Sequence, residues 1–332
     1  MKMKAIGLSE FGGPEVLETI EVARPQPRED QVLIRIQGVS VNFADIQTRK
    51  GAFHGAGAAF PLVPGLDCMG IAEEVGSQVM GIKPGDRVIA FPHTGTYSQF
   101  VVADGNLTYP IPDTISMEQA AASPLVSFAS YMLLSKVARL EQGETLLIHA
   151  AAGGIGTTAL QIAKSMKAGL LIGTVGSPDK DALARKAGAD EVILDKEEDF
   201  VQRVKEMTGG RGADVILDSL GGTYPNRGME CLAPYGRLVV FGNATGSYAE
   251  INTGLLHGSC RSVLGYSSVT TRKTRPQWFV DTAPEVIRLI DSGELDMKVS
   301  LVMGMEEAGE AHRLMEEGRS AGKIVLTVPE KW

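Results

Sequence analysis

The chain has 332 residues, of which 44% are hydrophobic and 22% are charged, a composition typical of a folded globular protein with room for two domains. Its formal net charge of −8 disfavours nucleic acid as an obligatory partner, because phosphate backbones are bound by basic surfaces. No apolar run reaches the roughly 18 residues of a membrane span, and residues 1–6 lack a signal-peptide core. Three scattered cysteines fit a reducing compartment. We therefore expect a cytoplasmic protein without membrane or nucleic-acid partners.

Residues 1–110 contain short β-like segments that alternate with glycine- and proline-rich turns. The segments are KAIGL, VLIRIQGVSVN, GIAEEVGS, DRVIAF and SQFVVAD. This pattern predicts a largely antiparallel, barrel-like domain. From Ser116 onward, small apolar residues recur at helical spacing, and the Ser116 side chain is predicted to cap that helix.

Residues 145–156, TLLIHAAAGGIG, predict a buried strand, a tight turn and the start of a helix. Ala151, Gly153 and Gly156 occupy the three small-residue positions of a dinucleotide-binding turn. Small residues there allow a sharp bend and bring backbone N–H groups and the positive end of the helix dipole toward a diphosphate.

Strand-like and helical segments then alternate as far as residue 242, which predicts an α/β domain with a doubly wound parallel sheet. In this pattern GMECLAPYG, residues 228–236, is expected to be helical. After about residue 262 the pattern is mixed, with two helices and a final strand, KIVLTV. We predict a nucleotide-binding domain over residues 123–261, inserted into a β-rich domain formed by residues 1–122 and 262–332.

Eight segments, in this order, resemble the zinc-free, zeta-crystallin-like quinone oxidoreductases of the medium-chain dehydrogenase/reductase superfamily. They are FGGPEVL, VSVNFADIQTRKG, KPGDRV, HAAAGGIG, GSPDK with ARKAGAD, DVILDSLGG, GRLVVFGNATG and GKIVLTV. The resemblance covers nearly the whole chain. It implies a GroES-like catalytic domain, a Rossmann domain, a cleft between them, and a homodimer that pairs through an edge strand near residues 261–266.

We expect no metal site. A catalytic zinc needs three converging protein ligands, and zinc alcohol dehydrogenases of this superfamily carry an early Cys and a Gly-His-Glu. This chain has Asn42 near the first of these sites and Leu66, Asp67 and Cys68 near the second. The five histidines show no ligand-like spacing.

The expected cofactor is NADPH. NAD-specific proteins place a carboxylate about 20 residues after the glycines to bind the ribose 2′-hydroxyl, whereas this chain has Gly176 and Ser177 there. The resemblance implies that Lys180 binds the 2′-phosphate; the alternative is a solvated lysine at a helix start. Asp195 departs from the aromatic or histidine residue usual near the adenine, and Arg319 is expected to offset its charge.

The resemblance also implies that several other residues line the cofactor. These are Asn42, Ala129, the turn residues Ala152, Gly153, Gly154, Ile155 and Gly156, and two groups on the nicotinamide side, Phe241, Gly242 and Asn243 together with Leu264 and Gly265. Ala129 stands where relatives usually have a threonine.

Asn42, Asp45 and Gln47 are the predicted catalytic residues. Asn42 is suited to donate to a ribose hydroxyl or to a substrate carbonyl oxygen that gains charge on reduction; a buried, turn-forming asparagine is the alternative. Gln47 and Phe53 replace tyrosines common in similar bacterial quinone oxidoreductases, which weakens the assignment to quinones, although Gln47 still offers an amide donor.

Residues 270–275, TTRKTR, are the one basic cluster, and we expect a solvated loop in preference to a substrate-guiding one. The predicted function is NADPH-dependent, zinc-independent hydride transfer to a quinone or an α,β-unsaturated carbonyl. Two alternatives stay open: an enoyl-thioester or 2-alkenal reductase of the same superfamily, and a non-catalytic NADPH-binding protein of the zeta-crystallin type.

Overall fold

The computed structural model describes residues 1–52, 59–329 and 332. Phe53, which replaces a tyrosine common in similar proteins, lies outside these residues. The chain forms two compact units. The first contains Met1–Val126 and Pro276–Trp332, and the second contains Ser127–Arg275.

The first unit is built on β-sheets, most of whose neighbouring strands are antiparallel, as in the predicted GroES-like domain. Within the described residues its strands are β1 (Lys2–Gly7), β2 (Glu18–Ala23), β3 (Gln31–Ser40), β4 (Cys68–Val75), β5 (Arg87–Ala90), β6 (Phe100–Asp104), β7 (Thr108–Pro110), β14 (Val299–Gly304) and β15 (Lys323–Thr327). Strands β1 and β2 pair with each other. The larger sheet has the order β14-β15-β3-β4-β5-β7, and β6 also pairs with β3. Only β14 and β15 among these pairs are parallel.

The helices of this unit are α1 (Phe43–Arg49), α2 (Met117–Ala122), α3 (Pro124–Met132, which spans the division between the units), α10 (Gln277–Asp291) and α11 (Ala308–Glu316). The helical pattern after Ser116 forms two helices, because Pro124 lacks the N–H that would continue α2. The predicted cap is confirmed: the Ser116 hydroxyl accepts from the backbone N–H of Gln119 at 3.2 Å.

Strands β3 and β15 are apolar because their side chains form much of the core of the first unit. Alternate side chains of β3, Val32, Ile34 and Ile36, are buried together with Ile324 and Leu326 of β15. These two strands pair antiparallel, so Lys323 at the start of β15 comes close to the end of β3. The pairing therefore places a charged side chain beside the loop that leads from β3 into α1.

The second unit contains the predicted doubly wound parallel sheet. Its strands are β8 (Leu146–Ile148), β9 (Leu171–Val175), β10 (Glu191–Leu194), β11 (Ala213–Asp218), β12 (Leu232–Val240) and β13 (Ser262–Gly265). Its helices are α4 (Gly154–Ser165), α5 (Asp181–Lys186), α6 (Phe200–Met207), α7 (Tyr224–Cys231), α8 (Gly254–His257) and α9 (Ser268–Thr274). The sheet order is β10-β9-β8-β11-β12-β13, which is the order of a Rossmann sheet with β8 as the first strand.

Two local predictions in this unit differ from the structure. Helix α7 ends at Cys231 and β12 begins at Leu232, inside the segment expected to be helical, because Pro234 is unsuited to a helix interior and Tyr235 has a left-handed φ of 62°. The basic segment predicted as a loop forms α9, whose first turn is capped by the Ser267 hydroxyl.

The second unit also extends past the predicted boundary at residue 261. Strand β13 pairs in parallel with β12 and is therefore part of the Rossmann sheet. None of the helices within the described residues is long and apolar enough to cross a membrane.

Candidate functional site

The turn between β8 and α4 is held in a compact shape by backbone contacts. Ala150 adopts a left-handed φ of 54°, and its carbonyl accepts from the Gly153 N–H at 2.9 Å. A Cβ atom at Gly156 would lie 2.4 Å from the Ala150 oxygen and 2.6 Å from the Ala151 carbonyl carbon. Both are backbone atoms that cannot turn aside, so only glycine allows the helix to pack this closely on the turn.

This turn leaves the amino end of α4 suited to an anion. The cap residue, Gly153, provides no side-chain hydrogen bond to the helix. The first N–H groups of a helix have no acceptor within the helix, so those of Gly154 and Ile155 stay available beside the small residue Ala152. Together with the helix dipole, they favour a phosphate group.

The residues that follow β9 carry both charges, because the Asp179 carboxylate accepts from the Ser177 hydroxyl and lies near the Lys180 ammonium. Gly176 and Ser177 follow the strand, and Lys180 comes three residues later, just before α5. Lys196, after β10, is a second lysine at this place: its Nζ would lie 3.9 Å from a Cβ atom at Gly176. Among the described residues neither lysine forms a salt bridge, so both ammonium groups are available to a ligand.

Asp195 is anchored by two hydroxyl groups. Its Oδ2 accepts from the Tyr224 hydroxyl at 3.0 Å and from the Thr174 hydroxyl at 3.4 Å. Thr174 also contacts Nδ1 of the buried His149 at 3.0 Å. Burial, followed by the charge of Asp195, raises the pKa of Tyr224 to about 12, so its phenol stays a hydrogen-bond donor at neutral pH.

The predicted nicotinamide-side residues lie at the carboxyl ends of β12 and β13. The Phe241 N–H donates to the Asp218 carbonyl at 2.9 Å, and a Cβ at Gly242 would lie 2.6 Å from the Ser219 oxygen, so this loop packs tightly on the one after β11. The Asn243 Oδ1 is buried without a partner among the described residues. Leu264 and Gly265 end β13 beside Val239 and Val240, and space is open at Gly265.

Two further predicted cofactor residues belong to different units, and Ser130, the neighbour of Ala129, donates to the Ile155 carbonyl of the nucleotide turn at 3.4 Å. Ala129 is buried in α3 and belongs to the second unit. Arg319 belongs to the first unit, where its guanidinium pairs with Glu317 at 3.1 Å. Its predicted compensation of the Asp195 charge stays a prediction.

In the first unit Asn42 is the centre of a buried polar cluster. Its Oδ1 accepts from Lys323 Nζ at 2.7 Å, and its Nδ2 donates to Asp67 Oδ1 at 3.0 Å and to the Ser40 carbonyl at 3.2 Å. Lys323 also donates to the Val41 carbonyl at 3.1 Å. Both hydrogens of the Asn42 amide are therefore used within the unit, which corrects its predicted role as a donor. One Oδ1 lone pair is left, so Asn42 can accept a hydrogen bond.

Asp45 and Gln47 lie on different faces of α1. The Asp45 side chain is completely buried, and its Oδ2 accepts from the Asn42 N–H at 2.8 Å and the Tyr97 hydroxyl at 3.3 Å. Gln47 is only half-buried. The Asp45 carboxyl is therefore closed to solvent and Gln47 is partly open to it, and the predicted catalytic roles of both residues stay predictions.

Burial shifts the protonation of the groups around Asp45. It raises the pKa of Asp45 to about 7, against the opposing effects of the Asn42 N–H and the Lys323 charge. The Tyr97 hydroxyl also lies 3.1 Å from His312 Nε2, and burial together with the Arg49 charge lowers the pKa of His312 to about 3. His312 is therefore neutral at physiological pH.

The raised pKa of Asp45 predicts a specific pH dependence of stability. A carboxyl whose pKa rises from 3.8 to about 7 on folding stabilises the folded state fully below about pH 4, and this contribution is lost as the pH rises through 7. Between about pH 5 and about pH 8 we expect this group to lower the free energy of unfolding by about 3 kcal/mol.

Urea unfolding of the parent and of Asp45→Asn across this range measures the effect. The variant retains an acceptor for Asn42 and Tyr97 but does not titrate, so its free energy of unfolding should fall less with rising pH. Parallel pH profiles for the two proteins would contradict the assignment.

Three residues of these sites, Lys196, Tyr224 and Lys323, were not predicted from the sequence. A lysine at the start of an otherwise apolar strand is a signal that was present in GKIVLTV, because a charge in a core strand requires a buried partner. In the described part of the chain, no three His, Cys, Asp or Glu side chains are grouped to hold a metal ion.

A Rossmann sheet with a glycine turn, joined in one chain to a GroES-like β-domain, defines the class of medium-chain dehydrogenases and reductases. The family model for the alcohol dehydrogenase GroES-like domain matches residues 28–113, and the model for zinc-binding dehydrogenases matches residues 154–290.

Individual relatives give a finer assignment. The chain is 37% identical to quinone oxidoreductase 1 of Escherichia coli strain K12, over 97% of this chain and 98% of the relative. It is also 37% identical to a quinone oxidoreductase of Pseudomonas aeruginosa, over 97% and 99% of the two chains. The crystal structure of an Escherichia coli quinone oxidoreductase complexed with NADPH matches with a TM-score of 0.90 and 35% identity, covering 98% of this chain and 99% of that one. The chain belongs to the quinone oxidoreductase family of the medium-chain dehydrogenase/reductase superfamily.

Proposed function

We propose that this protein is an NADPH-dependent quinone oxidoreductase that works without a metal ion. The observation that carries the proposal is the nucleotide turn, where Gly156 permits close packing and the amino end of α4 has no side-chain cap. Two lysines add positive charge near the end of β9: Lys180 follows β9, and Lys196 follows β10. A similar protein supports NADPH as the cofactor and a quinone as the substrate. The matching crystal structure from Escherichia coli, aligned over nearly its whole length, is a quinone oxidoreductase complexed with NADPH.

The residues of the second unit fit the charges of NADPH. The N–H groups of Gly154 and Ile155 are suited to its diphosphate, and Lys180 with Ser177 is suited to its 2′-phosphate. A glycine at position 176 leaves room for the ribose. When bound, the nicotinamide supplies the hydride that a quinone or enone accepts.

In the first unit, Asn42 and Gln47 have complementary roles. The remaining lone pair of Asn42 Oδ1 is suited to accept from a ligand hydroxyl, because Lys323 and Asp67 fix the amide in one orientation. The Gln47 amide donates to the substrate carbonyl oxygen, on which negative charge develops during reduction. Asp45 is a positioning residue, since it holds the Asn42 backbone at the start of α1.

The direct test is NADPH oxidation by the purified chain, dialysed against a chelator, with matched panels of quinones and of enones. We expect the highest kcat/KM for quinones. Turnover of enones or enoyl thioesters alone would favour the alternative reductase, and saturable NADPH binding without turnover of either panel would favour a non-catalytic binder. Activity that returns only on addition of zinc would contradict the metal-free mechanism.

Loss of Lys180 should weaken NADPH binding selectively. A charge-assisted contact to a phosphate contributes about 1.5–3 kcal/mol, so Lys180→Ala should raise the KM for NADPH about ten-fold or more and leave that for NADH unchanged. Lys186→Ala, at the exposed end of α5, is the matched control and should change neither value. An unchanged NADPH KM in Lys180→Ala would refute this role.

We also propose that the protein is a cytoplasmic homodimer. Strand β13 supports the dimer, because it is an outer strand of the six-stranded sheet with one ladder edge open for a second copy. The free thiols of Cys68, Cys231 and Cys260 suit a reducing compartment. Analytical ultracentrifugation should give twice the chain mass, and Val263→Pro in β13, whose N–H faces away from β12, should lower it to the monomer value.

A further inference from the structure

Asp195 and Lys196 place opposite charges beside the residue that follows β9. An ideal Cβ at Gly176 would meet Lys196 Cε at 3.6 Å, Lys196 Nζ at 3.9 Å and Asp195 Oδ1 at 3.9 Å. Gly176 lies 20 residues beyond Gly156. At this distance from the glycine turn, Rossmann domains bind the ribose that carries the 2′ substituent. A carboxylate oxygen and an ammonium therefore border the same small space.

The two oxygens of Asp195 have different surroundings. Oδ2 accepts from the Tyr224 and Thr174 hydroxyls, which come from the interior of the unit. Oδ1 is buried and has no hydrogen-bond partner among the described residues. An unpartnered carboxylate oxygen is costly, and its position near Gly176 suits it to accept from a ribose hydroxyl.

Tyr224 keeps this arrangement rigid. Its ring stacks on Phe200 with centroids 5.9 Å apart and meets the buried His149 edge-on at 5.0 Å. The phenol is thus fixed by packing, and the Asp195 carboxylate that it binds cannot rotate away without losing this partly buried hydrogen bond. Lys196, in contrast, is exposed and free to move toward a phosphate.

We propose that Asp195 and Lys196 together set the choice between the 2′-phosphate of NADPH and the 2′-hydroxyl of NADH. Lys196 attracts the phosphate, while Asp195, held by Tyr224 and Thr174, repels the phosphate and accepts from the hydroxyl. The protein consequently binds both nucleotides. The ratio of its affinity for NADPH to its affinity for NADH is smaller than Lys180 and Lys196 would give without Asp195. This inference rests on the proposed use of a nicotinamide nucleotide.

The test uses calorimetric titration of the full chain with two adenosine fragments, adenosine 2′,5′-bisphosphate and 5′-AMP, which report binding without turnover. Removing a like charge within several ångströms of a phosphate should strengthen binding about ten-fold at the surface of a protein. Asp195→Asn should therefore bind the bisphosphate about ten-fold more tightly than the parent and 5′-AMP no more tightly. Lys196→Met should bind the bisphosphate about ten-fold more weakly with 5′-AMP unchanged.

Two control variants separate local contacts from net charge. Glu197→Gln and Lys186→Met remove the same charges at exposed positions nearby and should shift both affinities less than two-fold. Thermal melting of each variant checks that the fold is kept. If the parent binds neither fragment, the proposed function fails. If the parent binds the bisphosphate but Asp195→Asn and Lys196→Met discriminate between the fragments as the parent does, only the proposed role of these two residues fails.

Discussion

Gly156→Ala should lower the affinity for NADPH at least about 100-fold and reduce the free energy of unfolding by about 3 kcal/mol. The added Cβ would lie within 2.6 Å of backbone atoms of Ala150 and Ala151, so α4 must move away from the turn. That movement displaces the N–H groups of Gly154 and Ile155 from the positions that favour a diphosphate. Nicotinamide fluorescence titration and urea unfolding measure the two effects.

Gly258→Ala is the matched control for this substitution. Gly258 follows α8 with an ordinary φ of −66°, and a Cβ there would come no closer than 3.9 Å to another atom of the described chain. The control should bind NADPH as the parent does. Retention of parental NADPH affinity by Gly156→Ala would show that the turn does not hold the nucleotide.

Lys323→Met should be the most destabilising single substitution in the Asn42 cluster, lowering the free energy of unfolding by about 4 kcal/mol. Lys323 is 3% exposed, and its ammonium donates to Asn42 Oδ1 and the Val41 carbonyl, with Asp67 and Asp45 nearby. Its removal leaves buried carboxylates without their cation and releases the Asn42 amide. We therefore also expect kcat/KM to fall.

Lys2→Met provides the comparison. Lys2 pairs with Glu21 at 2.9 Å, but both side chains are largely exposed, so solvent screens the pair and Lys2→Met should lower the free energy of unfolding far less than Lys323→Met. Urea unfolding of both variants gives the two free energies. A loss of less than about 1 kcal/mol for Lys323→Met would mean that the cluster tolerates an uncompensated charge, and Lys323 would then have no stabilising role in it.

The sequence predicted best the features that depend on neighbouring residues. The strand, turn and helix at residues 145–165 follow from local periodicity and small residues, and the parallel sheet follows from their repetition. Helix α7 was predicted too long because GMECLAPYG has helical spacing, while the end of the helix depends on Pro234 and on Tyr235 with its left-handed φ.

Contacts between distant residues were not predictable in the same way. Lys323 and Asn42 are 281 positions apart, and their hydrogen bond arises only because β15 pairs with β3. The sequence placed Asn42 near the site but could not show that Lys323 and Asp67 use most of its hydrogen-bonding capacity. Likewise, the sequence shows that Asp195 replaces the aromatic or histidine residue usual near the adenine. It does not show that Tyr224, 29 positions away, anchors Asp195, because that contact depends on the packing of α7.

The proposed function depends above all on the turn before α4, which we expect to bind the diphosphate of NADPH without help from a metal ion. Equilibrium titration of the metal-free chain with NADPH, followed by nicotinamide fluorescence, tests this binding most directly. We predict saturable binding of one NADPH per chain, reversed by adenosine 2′,5′-bisphosphate. No saturable change, or a change that appears only after zinc is added, would contradict it.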